Sequence, residues 1–346
     1  MCLEEDVRHP LIATGFERLR VPYASLPELN LDDVDLSCEM LGKSLSMPFM
    51  VTGMTGGTEL SGRINRNLAE TAQRCGVALG LGSMRVALED SKAAESFRVR
   101  ELCPDVPLWA NLGAAQLNLG CGVEECRRLV ETIGADGLCL HVNALQEVAQ
   151  PGGDTDWANV AEKIEAVAEA LPVPVMVKEV GFGMGRRTAQ MLGALGIWGV
   201  DVGGAGETSW LEVEKRVWGR KDLDAFDEMG TPTAESIREV RRSCPGKFVI
   251  GSGGVRTGVD AVKALALGAD LAGAAIPLLA PAVESAEAVV RWLEKLRWEM
   301  KVAALCSGCS GTEALKHLEL EDPASEPGAT GTGEPAVGEV GQQGAG

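Results

Sequence analysis

The chain has 346 residues, 45% hydrophobic and 24% charged, enough to bury a large core without disulfides or a structural metal. Its 32 basic and 50 acidic residues leave a net charge of −18, which excludes the cationic footprint that nucleic acid or an anionic membrane requires. The longest uncharged apolar run, Leu271–Val283, is 13 residues with proline inside it, too short to span a bilayer.

Residues 1–10 are acidic and lack an apolar stretch, so no signal peptide is expected, and the ten cysteines are expected as reduced cytoplasmic thiols. Residues 1–46 are expected to form an arm with a short helix and an extended stretch, Leu29–Leu36. Eight short apolar runs follow: Met47–Gly53, Val77–Gly82, Pro107–Gly113, Gly137–Asn143, Pro174–Gly181, Trp198–Gly204, Phe248–Gly254 and Leu271–Leu278. The first four begin 30 residues apart, the length of one βα unit. Several are apolar throughout, as in Pro174-Val175-Met176-Val177, the mark of strands covered on both faces of a parallel sheet.

Helical spacing is clearest over Trp157–Leu171, Arg187–Leu195, Ala234–Ser243 (with Thr233 as the expected N-cap) and Val259–Leu267. A final long helix is expected from Glu284 to Leu305. The expected organisation is an N-terminal arm over 1–46, a TIM (β/α)8 barrel over 47–318 including the final helix, and a disordered acidic tail over 319–346. An open α/β sheet is the alternative. Cys306 and Cys309 form a C-x-x-C pair, read as small core-filling residues because the further ligands of a zinc site are missing.

In a barrel the C-terminal strand ends carry the chemistry. Seven of these eight ends hold glycine or hydrogen-bonding residues: Gly53-Met54-Thr55, Gly82-Ser83-Met84-Arg85, Asn111-Leu112-Gly113, His141-Val142-Asn143 with Gln146-Glu147, Lys178-Glu179, Gly203 to Thr208, and Ser252 to Arg256. One such end is turn chemistry; seven on one rim make a site. Gly253-Gly254 with Arg256, and Gly273-Ala274-Ala275, are placed to cradle a phosphate. Lys178 in an apolar strand is either half of a salt bridge or a cation facing a cofactor. His141 is either a satisfied core histidine or part of a polar cluster with Asn143, Gln146 and Glu147. Glu147 is the carboxylate suited to Mg²⁺.

These segments, in this order, resemble the type 2 isopentenyl-diphosphate Δ-isomerases. The most specific strings are His141-Val142-Asn143-Ala144-Leu145-Gln146-Glu147 and Val177-Lys178-Glu179-Val180-Gly181-Phe182-Gly183, and the resemblance runs from about Thr14 to Leu315. It implies an FMN-binding barrel that interconverts isopentenyl and dimethylallyl diphosphate with reduced flavin and Mg²⁺. It also implies NADPH as the reductant, a prenyl diphosphate substrate and a cytoplasmic homo-oligomer. By the same resemblance, Gly53, Met54, Thr55, Ser83, Asn111, Lys178 and Thr208 contact the flavin. Gly254, Val255, Arg256, Ala275 and Ile276 hold its phosphate. Gln146 contacts substrate near the reacting carbons, and Glu214 shares the proton chemistry with it. Trp210 and Glu214 wall the prenyl pocket. Arg85, His141 and Asn143 contact the diphosphate, and Glu147 ligates Mg²⁺.

The departure is at the start. The family carries an Arg-Lys pair and a His just before its first helix, whereas Met1–Val7 here matches the inside of that helix. The expectation is that the true start lies upstream or that these diphosphate contacts are lost. Two rivals are weighed. A 2-hydroxy-acid oxidase of the FMN-dependent type needs a His base at a late strand end, and Asp201–Gly204 has none. An IMP-dehydrogenase-like barrel needs a cysteine after the sixth strand, and none lies between Cys139 and Cys244. A flavin-binding protein without catalysis is the reading from outside enzymology.

Overall fold

The computed structural model describes Glu5 and residues 7–323. Most of the expected tail, and most of the expected helix in residues 1–7, lie outside the described residues. Among the described residues ten strands form two sheets: a hairpin, β1 (Cys38–Met40) and β2 (Lys43–Leu45), and a closed parallel barrel. The barrel strands are β3 (Phe49–Val51), β4 (Ala78–Gly80), β5 (Leu108–Gly113), β6 (Gly137–Val142), β7 (Val175–Glu179), β8 (Gly199–Asp201), β9 (Phe248–Ser252) and β10 (Leu271–Ala274). They pair in chain order, and β10 closes on β3 through Ala272 opposite Phe49.

Each strand is apolar on both faces because each face has something to bury against. Leu108, Ala110, Leu112, Leu138, Leu140, Val175, Val177 and Val249 belong to the layer under the helices. Their alternates Trp109, Cys139, Met176 and Ile250 point into the barrel. The lower barrel is filled by these side chains with Met40 and Leu45 of the hairpin, which plugs the N-terminal mouth. Trp198 stacks on Phe248 at 4.5 Å and lies 5.3 Å from Trp109. The hairpin turns through Leu41 and Gly42, both at positive φ, the form that matches strand twist. The sequence analysis missed this hairpin: three-residue strands carry too little periodicity to read.

Several expectations shift. The stretch Leu29–Leu36 is not simply extended; a 3-10 turn occupies Leu31–Asp33, capped by the Asn30 side chain. Val7, expected inside a helix, lies instead beside the antiparallel bridge of Arg8 with Thr208, with the His9 N–H donating to the Glu207 carbonyl at 2.7 Å and the Ser209 N–H to the Val7 carbonyl at 2.9 Å. Thr233 is not an N-cap but the first residue of the helix Thr233–Ser243. Its hydroxyl bonds instead to the Ala205 and Gly253 carbonyls, which ties together the loops after β8 and β9. The last strand stops at Ala274, and Ile276 already starts a helix. The expected long final helix is present as Ala286–Cys306, and a separate helix, Ile276–Glu284, which the sequence reading did not contain, precedes it. Extended Ser285 separates them and caps the second through Ala288 N–H. Cys306 and Cys309 are free thiols, and Cys309 sits in the core.

Candidate active site

Going up the barrel, the interior changes from apolar to polar. Above Trp109, Cys139, Met176 and Ile250, two residues further along the same strands, stand Asn111, His141, Lys178 and Ser252. They form the floor of one cavity of about 480 Å³ at the C-terminal mouth. Of the residues singled out from sequence, Gly53, Met54, Thr55, Ser83, Arg85, Asn111, His141, Asn143, Gln146, Glu147, Lys178, Thr208, Trp210, Gly254, Ala275 and Ile276 all line it. Three do not. Val255 turns its side chain into the core, so only its backbone faces the loop. Arg256 lies at the edge, paired with Glu207 at 2.9 Å. Glu214 lies behind the lining.

The buried charges are held in place. The Lys178 ammonium donates to the Glu179 carbonyl at 2.6 Å and lies 3.4 Å from Asp201, whose other oxygen accepts from the Ser252 hydroxyl. Glu179 accepts from the N–H groups of Gly181, Phe182 and Gly183 at 2.5–3.0 Å, yet burial still pushes its carboxyl up to about 7. His141 is pushed down to about 4, by burial first and by the Lys178 charge second. The Asn111 amide fixes its tautomer. Asn111 Nδ2 donates to the Leu81 carbonyl, so its Oδ1, 2.8 Å from His141 Nδ1, must accept from Nδ1–H. Neutral His141 therefore carries its lone pair on Nε2.

The other half of the cavity is an amide–carboxylate chain. Asn143 Nδ2 donates to Gln146 Oε1 at 3.1 Å and to Glu147 Oε1 at 2.8 Å. Glu147 Oε2 accepts from the Asp154 N–H at 2.9 Å. Gln146 Nε2 donates to Glu214 Oε1 at 3.1 Å, and Gln150 Nε2 reaches the same oxygen at 2.6 Å. Glu214 Oε2 accepts from Trp218 at 3.0 Å. Asn143 Oδ1 is buried without a partner. Among the described residues no group of three His, Cys, Asp or Glu stands ready for a metal. Glu147 is thus a single protein carboxylate, the donor count Mg²⁺ accepts when phosphates supply the rest.

A curated isopentenyl-diphosphate delta-isomerase from Nostoc sp. is 44% identical over 321 residues, covering 92% of each chain. Those from Xanthobacter autotrophicus and Deinococcus radiodurans are 46% and 44% identical, covering 88–89% of this chain and 90–91% of theirs. This chain belongs to the type 2 isopentenyl-diphosphate delta-isomerase family. The family model for FMN-dependent dehydrogenases also matches this chain, over residues 126–322. Two mandelate oxidase structures superpose with TM-scores of 0.65 and 0.64 at 21% identity, over 89% of this chain and 88–89% of theirs, which establishes the shared barrel alone.

Sequence reasoning missed several residues of this isomerase-family cavity. Gln116 and Gln150 line it from a 3-10 turn and a helix end, and Thr52 from a strand end. Asp154, which accepts from Gln116 at 2.5 Å and faces Arg85 at 3.8 Å, lies in a glycine-rich loop. The available signal for Gln150 was its i+4 spacing from Gln146, which puts both amides on one helix face.

Proposed function

We propose that this chain interconverts isopentenyl diphosphate and dimethylallyl diphosphate, with reduced FMN and Mg²⁺ bound in the cavity described above. The observation that carries the reading is the division of that one cavity. Its floor and one wall offer a buried cation and bare backbone; the opposite wall offers amides and a carboxylate.

The fit to a flavin mononucleotide rests on the glycine wall. A Cβ on Gly204, Gly253 or Gly254 would come within 2.2–2.3 Å of Thr233, Gly204 or Thr14, so only glycine brings the β8 and β9 loops this close. Gly253 and Gly254 have φ of +108° and +74°. Gly254, Val255 and Arg256, with Ala275 and Ile276 at the start of the helix Ile276–Glu284, would hold the phosphate. Lys178, fixed by Asp201 and the Glu179 carbonyl, would face the polar edge of the ring and favour its anionic reduced form. Gly53, Met54, Thr55, Ser83, Asn111 and Thr208 complete that wall. When bound, the reduced flavin supplies a group that gives and takes a proton beside the alkene.

The chain's own residues hold the substrate. Glu147 would anchor Mg²⁺ against the diphosphate, with the unpaired Asn143 Oδ1 as a neutral oxygen beside it. Arg85, half-exposed at the mouth, supplies the positive charge. His141 Nε2 faces the same space and takes up a proton when an anion arrives. Trp210 forms an apolar wall for the prenyl tail. Gln146 has no useful acid or base strength, but both ends of its amide are pinned, by Asn143 and by Glu214. It therefore orients the alkene. NADPH as the reductant, cytoplasmic residence and a homo-oligomer belong to the same proposal.

The test is anaerobic. The protein is loaded with FMN, reduced, and given Mg²⁺ and isopentenyl diphosphate, and acid-labile dimethylallyl diphosphate is measured. Reduced, flavin-loaded protein that forms no product refutes the proposal. The oxidase reading finds no support in the cavity, whose only histidine among the described residues is His141 on β6.

A further inference from the structure

The loop after β9 was assigned above to the flavin phosphate, and the following inference rests on that assignment. The loop already holds an anion of the protein's own. Glu207, on the loop after β8, lines the same cavity, and its side chain is only 8% exposed. Its Oε1 accepts from Arg256 Nη2 at 2.9 Å, and the Gly254 N–H faces the same carboxylate. A Cβ built on Gly254 would lie 3.6 Å from the Glu207 Cβ. The two donors suited to a phosphate are thus engaged by a carboxylate one side-chain length away.

We propose that Glu207 is an internal competitor for the flavin phosphate, so that FMN loads only as Glu207 gives up Arg256 and the Gly254 N–H or accepts a proton. Arg256 is half-exposed but Glu207 is buried, so a second anion brought against the Gly254 N–H and Arg256 is repelled by the Glu207 carboxylate. Protonation of Glu207 removes that repulsion and leaves the cradle to the phosphate. The surroundings favour this. Burial raises the Glu207 carboxyl above its ordinary value, and Asp260 on the following helix pushes the same way. Arg256 and the Gly254 N–H oppose them. The N-terminal segment covers the loop from outside. There His9 N–H bonds the Glu207 carbonyl, Arg8 bridges Thr208, and Glu17 is tied to Thr14 and Gly15 beside Gly254.

The sign follows. FMN preference over riboflavin, which lacks the phosphate, falls as pH rises through the Glu207 titration. The phosphate's own second ionisation, near pH ~6, would by itself make that preference rise. The experiment titrates the apoprotein with FMN and with riboflavin by flavin fluorescence quenching, from about pH 4.5 to 8. It is run for wild type, Glu207→Gln and Glu207→Ala. Wild type is expected to lose FMN preference with rising pH. Both variants should gain it by about tenfold or more at the alkaline end and lose the downward slope, with riboflavin affinity unchanged. If either variant fails to fold, the wild-type profile and the other variant decide. FMN preference that is present but does not fall with pH, or is the same in wild type and the variants, overturns the role of Glu207 and leaves the phosphate site standing. No preference for FMN over riboflavin in any form overturns the phosphate-site assignment itself.

Discussion

Replacing Glu214 separates a residue that moves a proton from one that holds another residue still. Its Oε1 accepts two amide donors, Gln146 Nε2 at 3.1 Å and Gln150 Nε2 at 2.6 Å, and its Oε2 accepts Trp218 Nε1 at 3.0 Å. In Glu214→Gln one of those oxygens becomes an NH₂ group facing a donor. The cheaper arrangement turns it toward the single Trp218 N–H, at a cost of about 1–3 kcal/mol for one unsatisfied donor pair. Gln146 then keeps an acceptor and its position. Glu214→Ala leaves both glutamine amides without an acceptor, about 2–6 kcal/mol if the loss is felt in the transition state. Turnover of isopentenyl diphosphate by reduced, FMN-saturated protein should therefore fall by about tenfold or less in Glu214→Gln. In Glu214→Ala it should fall by about 30-fold to 10⁴-fold. Product formation under anaerobic single-turnover conditions measures both. If Glu214→Gln is as inactive as Glu214→Ala, the carboxylate itself carries a proton and the positioning argument fails. If Glu214→Ala is as active as wild type, Gln146 needs no anchor.

Three further outcomes are expected. Glu147→Gln keeps the shape and loses the charge, so Mg²⁺-dependent turnover should drop while flavin absorbance of the purified protein is unchanged; a wild-type Mg²⁺ titration would remove Glu147 from the metal. The folded apoprotein holds His141 down at about 4 against 6.5 unfolded, so it binds fewer protons than the unfolded chain between those values. His141 thus makes stability fall as pH falls from about 6.5 toward 4. In urea titrations His141→Gln should flatten that acid-side slope, and an unchanged slope would mean that the fold does not depress the protonation of His141. Trp109→Ala empties the lower barrel between Trp198 and the hairpin, so the urea midpoint should fall by an amount equal to about 3–5 kcal/mol with the m-value held.

The barrel was legible because its strands are buried on both faces, which forces continuous apolar runs at βα spacing whatever the surroundings. The site was legible as a rim, because polar and glycine residues after such runs have only the C-terminal mouth to occupy. Local sequence was less informative wherever two segments far apart in the chain meet. Thr233 has the composition of a cap, yet its hydroxyl is drawn away by the carbonyls of Ala205 and Gly253. Ile276–Leu278 reads as the end of the last apolar strand run, yet it opens the helix Ile276–Glu284, which extended Ser285 ends.

Residue types along the chain settled which groups are present: one lysine in an apolar strand, a histidine at a strand end, one Gln-Glu pair on a helix start, and glycines where loops must touch. Which of those groups meet was decided only by closing the barrel. Closure brings Lys178 to Asp201 across β7 and β8, and joins Asn111 to His141 across β5 and β6. Glu214 is brought under Gln146 from 68 residues away, and Glu207 into the cradle of Arg256. The physical reason is that burial and charge act through distance in space. A carboxylate's partners and protonation depend on the loops folded over it, and no spacing along the chain encodes those.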